Sequence, residues 1–404
     1  MKRRQLLSGM LGAGACAAAG LTLPRTSAVE LRQPLPRWVP RRGTRSDISY
    51  NVMADVDPCP RRDCSYTGTL GQQAVLAAWC GAAFATNYGA LGAWVTTGGG
   101  HEDYFGNEVY AFELDTRRWV RLNDPYPGGA DTAVDYAEGE YAPGIPLSSH
   151  TYQHSQYLPP ELGGGPKGAL LRVVAYAAGR YARGSGRAHA CDLATGQWTR
   201  FSMDKAIAGL NGTSATCVDL VRGCIWRVPP VGGVVEYLDL ATRRFGGISP
   251  GTVGDNNFVV NHTCALDPER DVIVVLDWRS KADAEVWVLP LADPQRWWRV
   301  PTAGPAPPLN AQGVALEWCP PLRAFVGYEG NGATFLRKLV PPAGDPRTST
   351  WQWHVEELGG DAPACRTKGP RMSFSRFRWA PSLHSFLWAD GRDLPVQAWR
   401  PQGT

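Results

Sequence analysis

Apolar and polar positions alternate in short blocks along the chain, and four of these blocks share one design. In each, a short apolar strand runs into a leucine, a small polar turn and an aromatic residue, over 108–122, 187–201, 234–248 and 285–300. With a fifth aromatic, the anchors are Trp119, Trp198, Phe245, Trp298 and Trp353. Their spacing is nearly even except after Trp119, where an insertion at 123–149 accounts for the longer gap. A period of roughly 50 residues predicts a repeat architecture.

Each unit reads as four short strands separated by turn residues. In the first unit we predict strands at 76–86, 93–97, 108–114 and 119–122, with Gly98, Gly99 and Gly100 ending the second. The turn at 115–118 has the polar composition of a tight hairpin. The chain is therefore predicted to be all-β.

Six strand sets are counted along the chain, and the last one is incomplete. They begin near Leu76, His150, Thr213, Phe258, Ala311 and Met372. The last set shows only three strands, at 374–379, 385–388 and 396–400, and the segment 36–40 resembles 118–120. A strand from the N-terminal region would complete this set and remove an exposed edge. We predict a six-bladed β-propeller in which 29–75 supplies the closing strand and a loop, and 76–404 forms one domain with 36–75. Seven blades, with a unit hidden in 40–75 or 123–149, is the alternative.

The first unit resembles the kelch motif of the galactose oxidase central-domain-like superfamily. The resemblance rests on Gly99 and Gly100 after the second strand, Tyr110 on the third and Trp119 on the fourth. Later units keep the leucine, turn and aromatic but lose the glycine pair. Glycine permits a positive φ, and a large aromatic fills the wedge between adjacent sheets. The resemblance implies a kelch-type propeller over about 76–400.

The segment 1–28 is predicted to be a bacterial export signal. Arg3 and Arg4 precede Gln-Leu-Leu and a mildly apolar run at 11–23, and 26–28 is a plausible cleavage site. This pattern resembles a twin-arginine signal, although an ordinary secretory signal fits too. We therefore expect a periplasmic or secreted protein.

Without the segment 1–28 the chain has 37 basic and 37 acidic residues. This balance gives no electrostatic reason to expect nucleic acid as a partner. No later segment is apolar enough to predict a membrane span. The oligomeric state cannot be read from the sequence.

Cysteine spacing predicts one disulfide and no metal site. Cys59 and Cys64 lie in one loop and can bridge in an oxidising compartment. Cys217 and Cys224 flank a predicted hairpin and are candidates for facing each other. No CxxC spacing occurs, so no structural zinc is expected. Cysteines on predicted inner strands are expected to be buried thiols, namely Cys80, Cys264 and Cys319.

Candidate functional residues concentrate on one predicted face. In a propeller, the loops between strands two and three share a face with the connections between blades, and polar groups there form the default site. His101, His150, Tyr152 and Arg180 are the candidate catalytic residues. The candidate ligand-binding residues are Asp103, Tyr104, Asn107, Arg183, Asn257, Arg279, Tyr328, Asn331 and Arg392.

The superfamily resemblance raises the question of a copper-radical cofactor, which galactose oxidase builds from a Tyr-Cys pair, a second Tyr and two His. This chain lacks a suitable Tyr-His dipeptide and a top-loop Cys with a partner Tyr. We therefore predict no cofactor.

Three functions remain compatible with the sequence. The first is binding of an extracellular ligand, with carbohydrate favoured because tyrosines in the loops can stack on sugar rings. The second is a carbohydrate-active enzyme, lyase-like or sugar-mutarotase-like, which would use the His, Tyr and Arg candidates. The third is a protein-interaction module of the cell envelope. The second rests on a resemblance in fold and location alone.

Overall fold

Six antiparallel sheets form the ring of a β-propeller in the computed structural model. The structure describes residues 34–59, 66–100, 103–127, 135, 138–174, 186–206, 213–230, 233–251, 258–278, 282–308, 313–330, 332–360 and 373–404. Residues Pro36–Thr404 form one compact unit. None of the helices in these ranges is both long and apolar enough to cross a membrane.

The blades follow one another along the chain, and each has its first strand nearest the ring axis. Blade 1 is Ala82–Ala85, Ala93–Thr97, Val109–Glu113 and Arg118–Arg121. Blade 2 is Ser155–Leu158, Ala169–Arg172, His189–Asp192 and Trp198–Arg200. Blade 3 is Ala215–Asp219, Cys224–Val228, Val235–Asp239 and Arg244–Ile248.

The second half of the ring repeats this order. Blade 4 is Thr263–Asp267, Val272–Asp277, Glu285–Pro290 and Trp298–Val300. Blade 5 is Ala315–Cys319, Ala324–Tyr328, Phe335–Val340 and Trp351–Glu357, with Thr302–Ala303 added in parallel to its outer strand. Blade 6 is Arg378–Ala380, Ser385–Trp388 and Gln397–Arg400, completed by Thr44–Asp47.

Several short elements lie outside the strands of the six blades. A hairpin of Glu140–Ala142 and Ile145–Pro146 precedes blade 2. One α-helix, Ala74–Ala77, precedes blade 1 within the described ranges. Single 3₁₀ turns are Met53–Val56, Gly71–Gln73, Pro160–Leu162, Pro320–Leu322 and Pro381–Leu383.

The six-blade count and the closure from the N-terminal side are confirmed. All five aromatic anchors lie on outer strands, as predicted. Trp119 is 1% exposed and packs edge-to-face on Trp94, with ring centroids 5.5 Å apart. Trp119, Phe245 and Trp353 are buried in the clusters between sheets. Trp198 and Trp298 pack against such clusters but are only partly buried.

The closing strand was predicted at the wrong segment. It is Thr44–Asp47, not 36–40, because Pro36 and Pro40 lack the N–H groups that a paired strand donates. Trp38 packs instead against the blade 1 core, with the Arg117 guanidinium 5.2 Å from its ring centroid.

The first strands of blades 1 and 6 also begin later than predicted. The segment 74–77 is rich in alanine, and it forms a helical turn rather than a strand. Blade 6 begins at Arg378 because Phe374, at the start of the predicted strand, has a φ of 42° and cannot continue a ladder. The first strands of blades 2 to 5 likewise begin two to five positions later than predicted. The other predicted strands, at 93–97, 108–114, 119–122, 385–388 and 396–400, agree with the observed bounds to within a single position.

Candidate functional site

The described residues of the predicted polar face lie mainly at blades 1, 2 and 6. Here the second strands of blades 1 and 6 end and the segment entering blade 2 arrives, and we call this side the top face. Seven predicted residues lie outside the described residues: Cys64, His101, Arg180, Arg183, Asn257, Arg279 and Asn331. The geometry below therefore concerns Asp103, Tyr104, Asn107, His150, Tyr152, Tyr328 and Arg392.

The segment entering blade 2 is held by buried polar side chains. Arg172 is fully buried; it donates to the Leu147 carbonyl over 2.7 Å and also to the Ser149 hydroxyl. Burial lowers the pKa of Arg172 to about 10. Because the segment is tied down on both sides of Ser148, the residue that follows Ser149 is placed rigidly. That residue is His150.

His150 and Asp103 form a hydrogen-bonded dyad. The His150 Nε2 lies 2.9 Å from the Asp103 Oδ2; the histidine side chain is 2% exposed and the aspartate side chain 22%. Gly100, with a φ of 81°, makes this approach possible, because a Cβ there would collide with the imidazole ring. A carboxylate on one ring nitrogen orients a histidine for proton transfer.

Three aromatic residues with left-handed backbone surround this dyad. Trp79, Tyr152 and Phe374 have φ values of 45°, 43° and 42°. The Trp79 ring centroid lies 4.8 Å from that of His150, Tyr152 packs edge-to-face on His150, and Phe374 packs edge-to-face on Tyr152. Each such conformation costs on the order of 1–3 kcal/mol and tends to occur at functional sites. We call Trp79, Asp103, His150, Tyr152 and Phe374 the His150 cluster.

A pocket of about 330 Å³ opens beside this cluster, and we call it the Arg392 pocket. Its lining is Asp57, Cys59, Thr67, Leu70, Gly71, Gln72, Gln73, Tyr104 and Arg392. The Arg392 Nη1 donates to Asp57 Oδ2 over 2.8 Å and to Gln72 Oε1 over 3.1 Å. Blade 6 and the segment before blade 1 thus form one site, although they are far apart in sequence.

The pocket is underlain by a buried carboxyl group. The hydroxyls of Tyr104 and Tyr110 each donate to Glu108 Oε1 over 2.5 Å, and Gln72 links Tyr110 to Arg392. Glu108 Oε2 is buried and has no hydrogen-bond partner in the described parts of the chain. Burial raises the pKa of Glu108, against the lowering effect of the two hydroxyls. Burial and the nearby Glu108 together raise the pKa of Tyr104.

Asp103 joins the two features. Its carboxylate contacts His150, and its backbone carbonyl accepts from the amides of Leu70 and Gly71 over 2.9 and 3.1 Å. The next residue, Tyr104, lines the pocket. Asp103 therefore connects the His150 dyad to the wall of the pocket.

Two predicted ligand-binding residues are buried and hydrogen-bonded within the fold. Asn107 is 1% exposed, donates to the Pro146 carbonyl and accepts from the Tyr126 amide, so it fastens the insertion to blade 1. Tyr328 is 1% exposed, and its hydroxyl donates to Asp390 over 2.5 Å. Tyr104, at 2% exposure, likewise offers no open face for stacking.

Several residues of the site were not predicted. The prediction of one strand over 76–86 does not single out Trp79, which is partly exposed and packs on His150. The pocket residues Asp57, Gln72 and Gln73 lie in a segment without repeat character. A tryptophan in a segment of mostly small residues, 74–85, is the signal that could have identified Trp79.

The cysteines partly follow the prediction. Cys59 is disulfide-bonded, and its predicted partner Cys64 lies outside the described residues. Cys80, Cys264 and Cys319 are buried free thiols, as predicted. The expected facing of Cys217 and Cys224 is wrong, because the register pairs Cys217 with Trp226 and Cys224 with Asp219.

Within the ranges that the structure covers, no group of three or more His, Cys, Asp or Glu side chains is placed to hold a metal ion. No protein-family model matches the chain, and no curated protein matches it. Among solved structures it is similar to a structural genomics protein of unknown function from Bacteroides thetaiotaomicron VPI-5482. The identity is 9% and the TM-score 0.47, over 88% of this chain and 74% of the other.

Proposed function

We propose that this protein is an exported propeller that binds a carbohydrate in the Arg392 pocket of its top face. The observation that carries the proposal is a pocket of about 330 Å³ lined mainly by hydrogen-bonding side chains. This volume is at the lower end of the range for small-molecule sites. The export signal and the kelch-type repeat inferred from the sequence belong to the same proposal.

The lining suits a sugar unit. Each sugar hydroxyl both donates and accepts, and the pocket offers a guanidinium donor at Arg392, an amide at Gln73 and a carboxylate at Asp57. Leu70 is 41% exposed and gives an apolar edge on which the C–H face of a sugar ring can lie.

The test is a glycan-array screen followed by titration of the hits. Arg392→Ala is expected to weaken binding by at least about tenfold, as for loss of a charged hydrogen bond. Arg323→Ala is the matched control, since this arginine pairs with Glu269 at an exposed position on a blade 5 turn. If Arg392→Ala binds the ligand with the same affinity as the wild type, the ligand binds at another site.

The His150–Asp103 dyad favours a second candidate, a carbohydrate-active enzyme of lyase or mutarotase type. The His150 ring centroid lies 5.8 Å from that of Tyr152, so a base and a phenol are close together. New double bonds in a panel of polysaccharides and anomer exchange of free sugars would report these activities. His150→Ala should abolish either signal, and His354→Ala on an outer strand is the control.

A role as an interaction module has less support. The exposed large apolar side chains of the described residues are mostly scattered, and only Leu220 and Val221 are adjacent. A binding face for a protein partner usually presents a larger contiguous patch.

A further inference from the structure

Among the described residues, the charges of the Arg392 pocket are already compensated. Arg392 pairs with Asp57 over 2.8 Å, and its Nε lies 3.5 Å from Asp393. The other acidic groups nearby are Asp103, whose carbonyl holds the Leu70–Gly71 wall, and Glu108 under Tyr104. An incoming carboxylate would thus meet a cation that is already neutralised and several oxygen acceptors.

The hydrogen-bonding groups of the pocket that remain unused can be satisfied by an uncharged ligand. Among the described residues, the Arg392 Nη2 and the Gln73 side-chain amide have no partner, whereas Gln72 uses both of its amide atoms. Nη2 donates to any lone pair, and an amide both donates and accepts. Sugar hydroxyls satisfy such groups without bringing a charge into the site.

We propose that the Arg392 pocket selects an uncharged, hydroxyl-rich sugar unit and discriminates against its uronic acid counterpart. This inference rests on the proposed function, because it specifies the ligand of the same pocket. Selection follows from charge balance, since the carboxylate of a uronic acid would lose hydration without gaining a free counter-charge from the described residues.

The probes are matched pairs that differ at C6: methyl glucoside against methyl glucuronide, and methyl galactoside against methyl galacturonide. Titration of the full-length protein should give at least about tenfold tighter binding for the neutral member of the recognised pair. The affinity for the neutral sugar should change little with added salt, because no ion pair forms between this sugar and the protein. Tighter or equal binding of the uronide overturns the inference and leaves the proposed function standing. Binding of neither member of either pair, together with an empty glycan array, overturns the proposed function itself.

A specificity swap sharpens the test. Asp57→Asn removes the compensating carboxylate with little change of shape, so uronide affinity relative to the neutral sugar should rise by on the order of tenfold. Asp271→Asn is the matched control, because Asp271 pairs with Arg222 on the opposite side of the ring, over 2.6 Å. Thermal unfolding identifies a variant that fails to fold. In that case Arg392→Gln serves instead, and it should lose neutral-sugar binding without gaining uronide binding. An unchanged ratio in folded Asp57→Asn contradicts the inference.

Discussion

The junction between blades 1 and 2 and the junction between blades 3 and 4 solve the same packing problem with different side chains. Between blades 3 and 4, the wedge is filled by apolar groups such as Phe258, Ile273 and Trp287. Between blades 1 and 2, buried polar groups are added at the top, and Arg172, His189 and Glu140 are 0–1% exposed. Blade 3 carries a buried polar pair of its own, Arg227 with Glu236, so buried charge is not what separates the two junctions. The difference lies in what the polar groups hold, because Arg172 fastens the segment that leads to His150.

The comparison predicts the largest loss of stability at the apolar junction. Ile273→Ala should lower the free energy of unfolding by about 2–5 kcal/mol, because it opens a cavity in a fully buried cluster. Denaturant unfolding measures this change. Val221→Ala, at a site 84% exposed, is the control and should stay within about 0.5 kcal/mol. If Ile273→Ala and Val221→Ala lowered the free energy of unfolding by similar amounts, packing in the wedge would not be the source of stability.

The stability that each junction contributes should also depend on pH over a range of its own. At the junction between blades 3 and 4, this range is set by His262. Burial lowers the pKa of His262 to about 4, from 6.5. The unfolded chain therefore binds the proton first, and stability falls as the pH drops from 6.5 to 4. His262→Gln should remove on the order of 3 kcal/mol of this pH-dependent change. Unfolding curves at several pH values test it, with the exposed His354→Gln as the comparison.

The polar junction should respond at lower pH through Glu140. Burial acts to raise the pKa of Glu140, but hydrogen bonds from Arg200 and His189 outweigh it and hold the pKa at about 2, below 4.5. Its stabilising contribution is complete above pH 4.5 and is lost as the pH falls toward 2. Glu140→Gln should remove on the order of 2 kcal/mol at neutral pH, a figure reduced for the exposure of Arg200. A pH profile identical to that of the wild type would contradict this role.

The smallest expected loss, at Arg172, is the most informative about the site. Arg172→Met keeps the volume but leaves the Leu147 carbonyl and Ser149 hydroxyl without their donor, at a cost of about 1–2 kcal/mol. The His150 ring resonances in NMR spectra should shift, because its anchoring segment loosens. If stability falls while these resonances stay in place, Arg172 supports the fold but does not position the histidine.

Much of the ring could be predicted from the sequence because each blade is a local structure. Strand, turn and aromatic follow one another within a single unit, and this order survives in the outer strands of Trp119 and Trp353 alike. The prediction failed where local preference competes with context. The apolar run at 74–77 became helical, and Trp38 packs on the blade 1 core instead of closing the ring.

The site was less predictable because its parts come from distant segments. His150, Tyr152, Tyr104 and Arg392 were predicted to share one face, and the structure brings His150 to Tyr152 and Tyr104 to Arg392. The partner of Arg392 was not predictable, since Asp57 is 335 positions away in the chain.

The sequence by itself determined the alternation of strands, the five aromatic anchors on outer strands and the need for a strand from the N-terminal side. These features depend on neighbours within one unit, where periodicity and turn chemistry act directly. Only the tertiary structure decided which segment closes the ring, which polar residues face a pocket and which are buried supports. Asn107 and Tyr328 show the reason: a side chain's role depends on the partners that the folded ring brings to it.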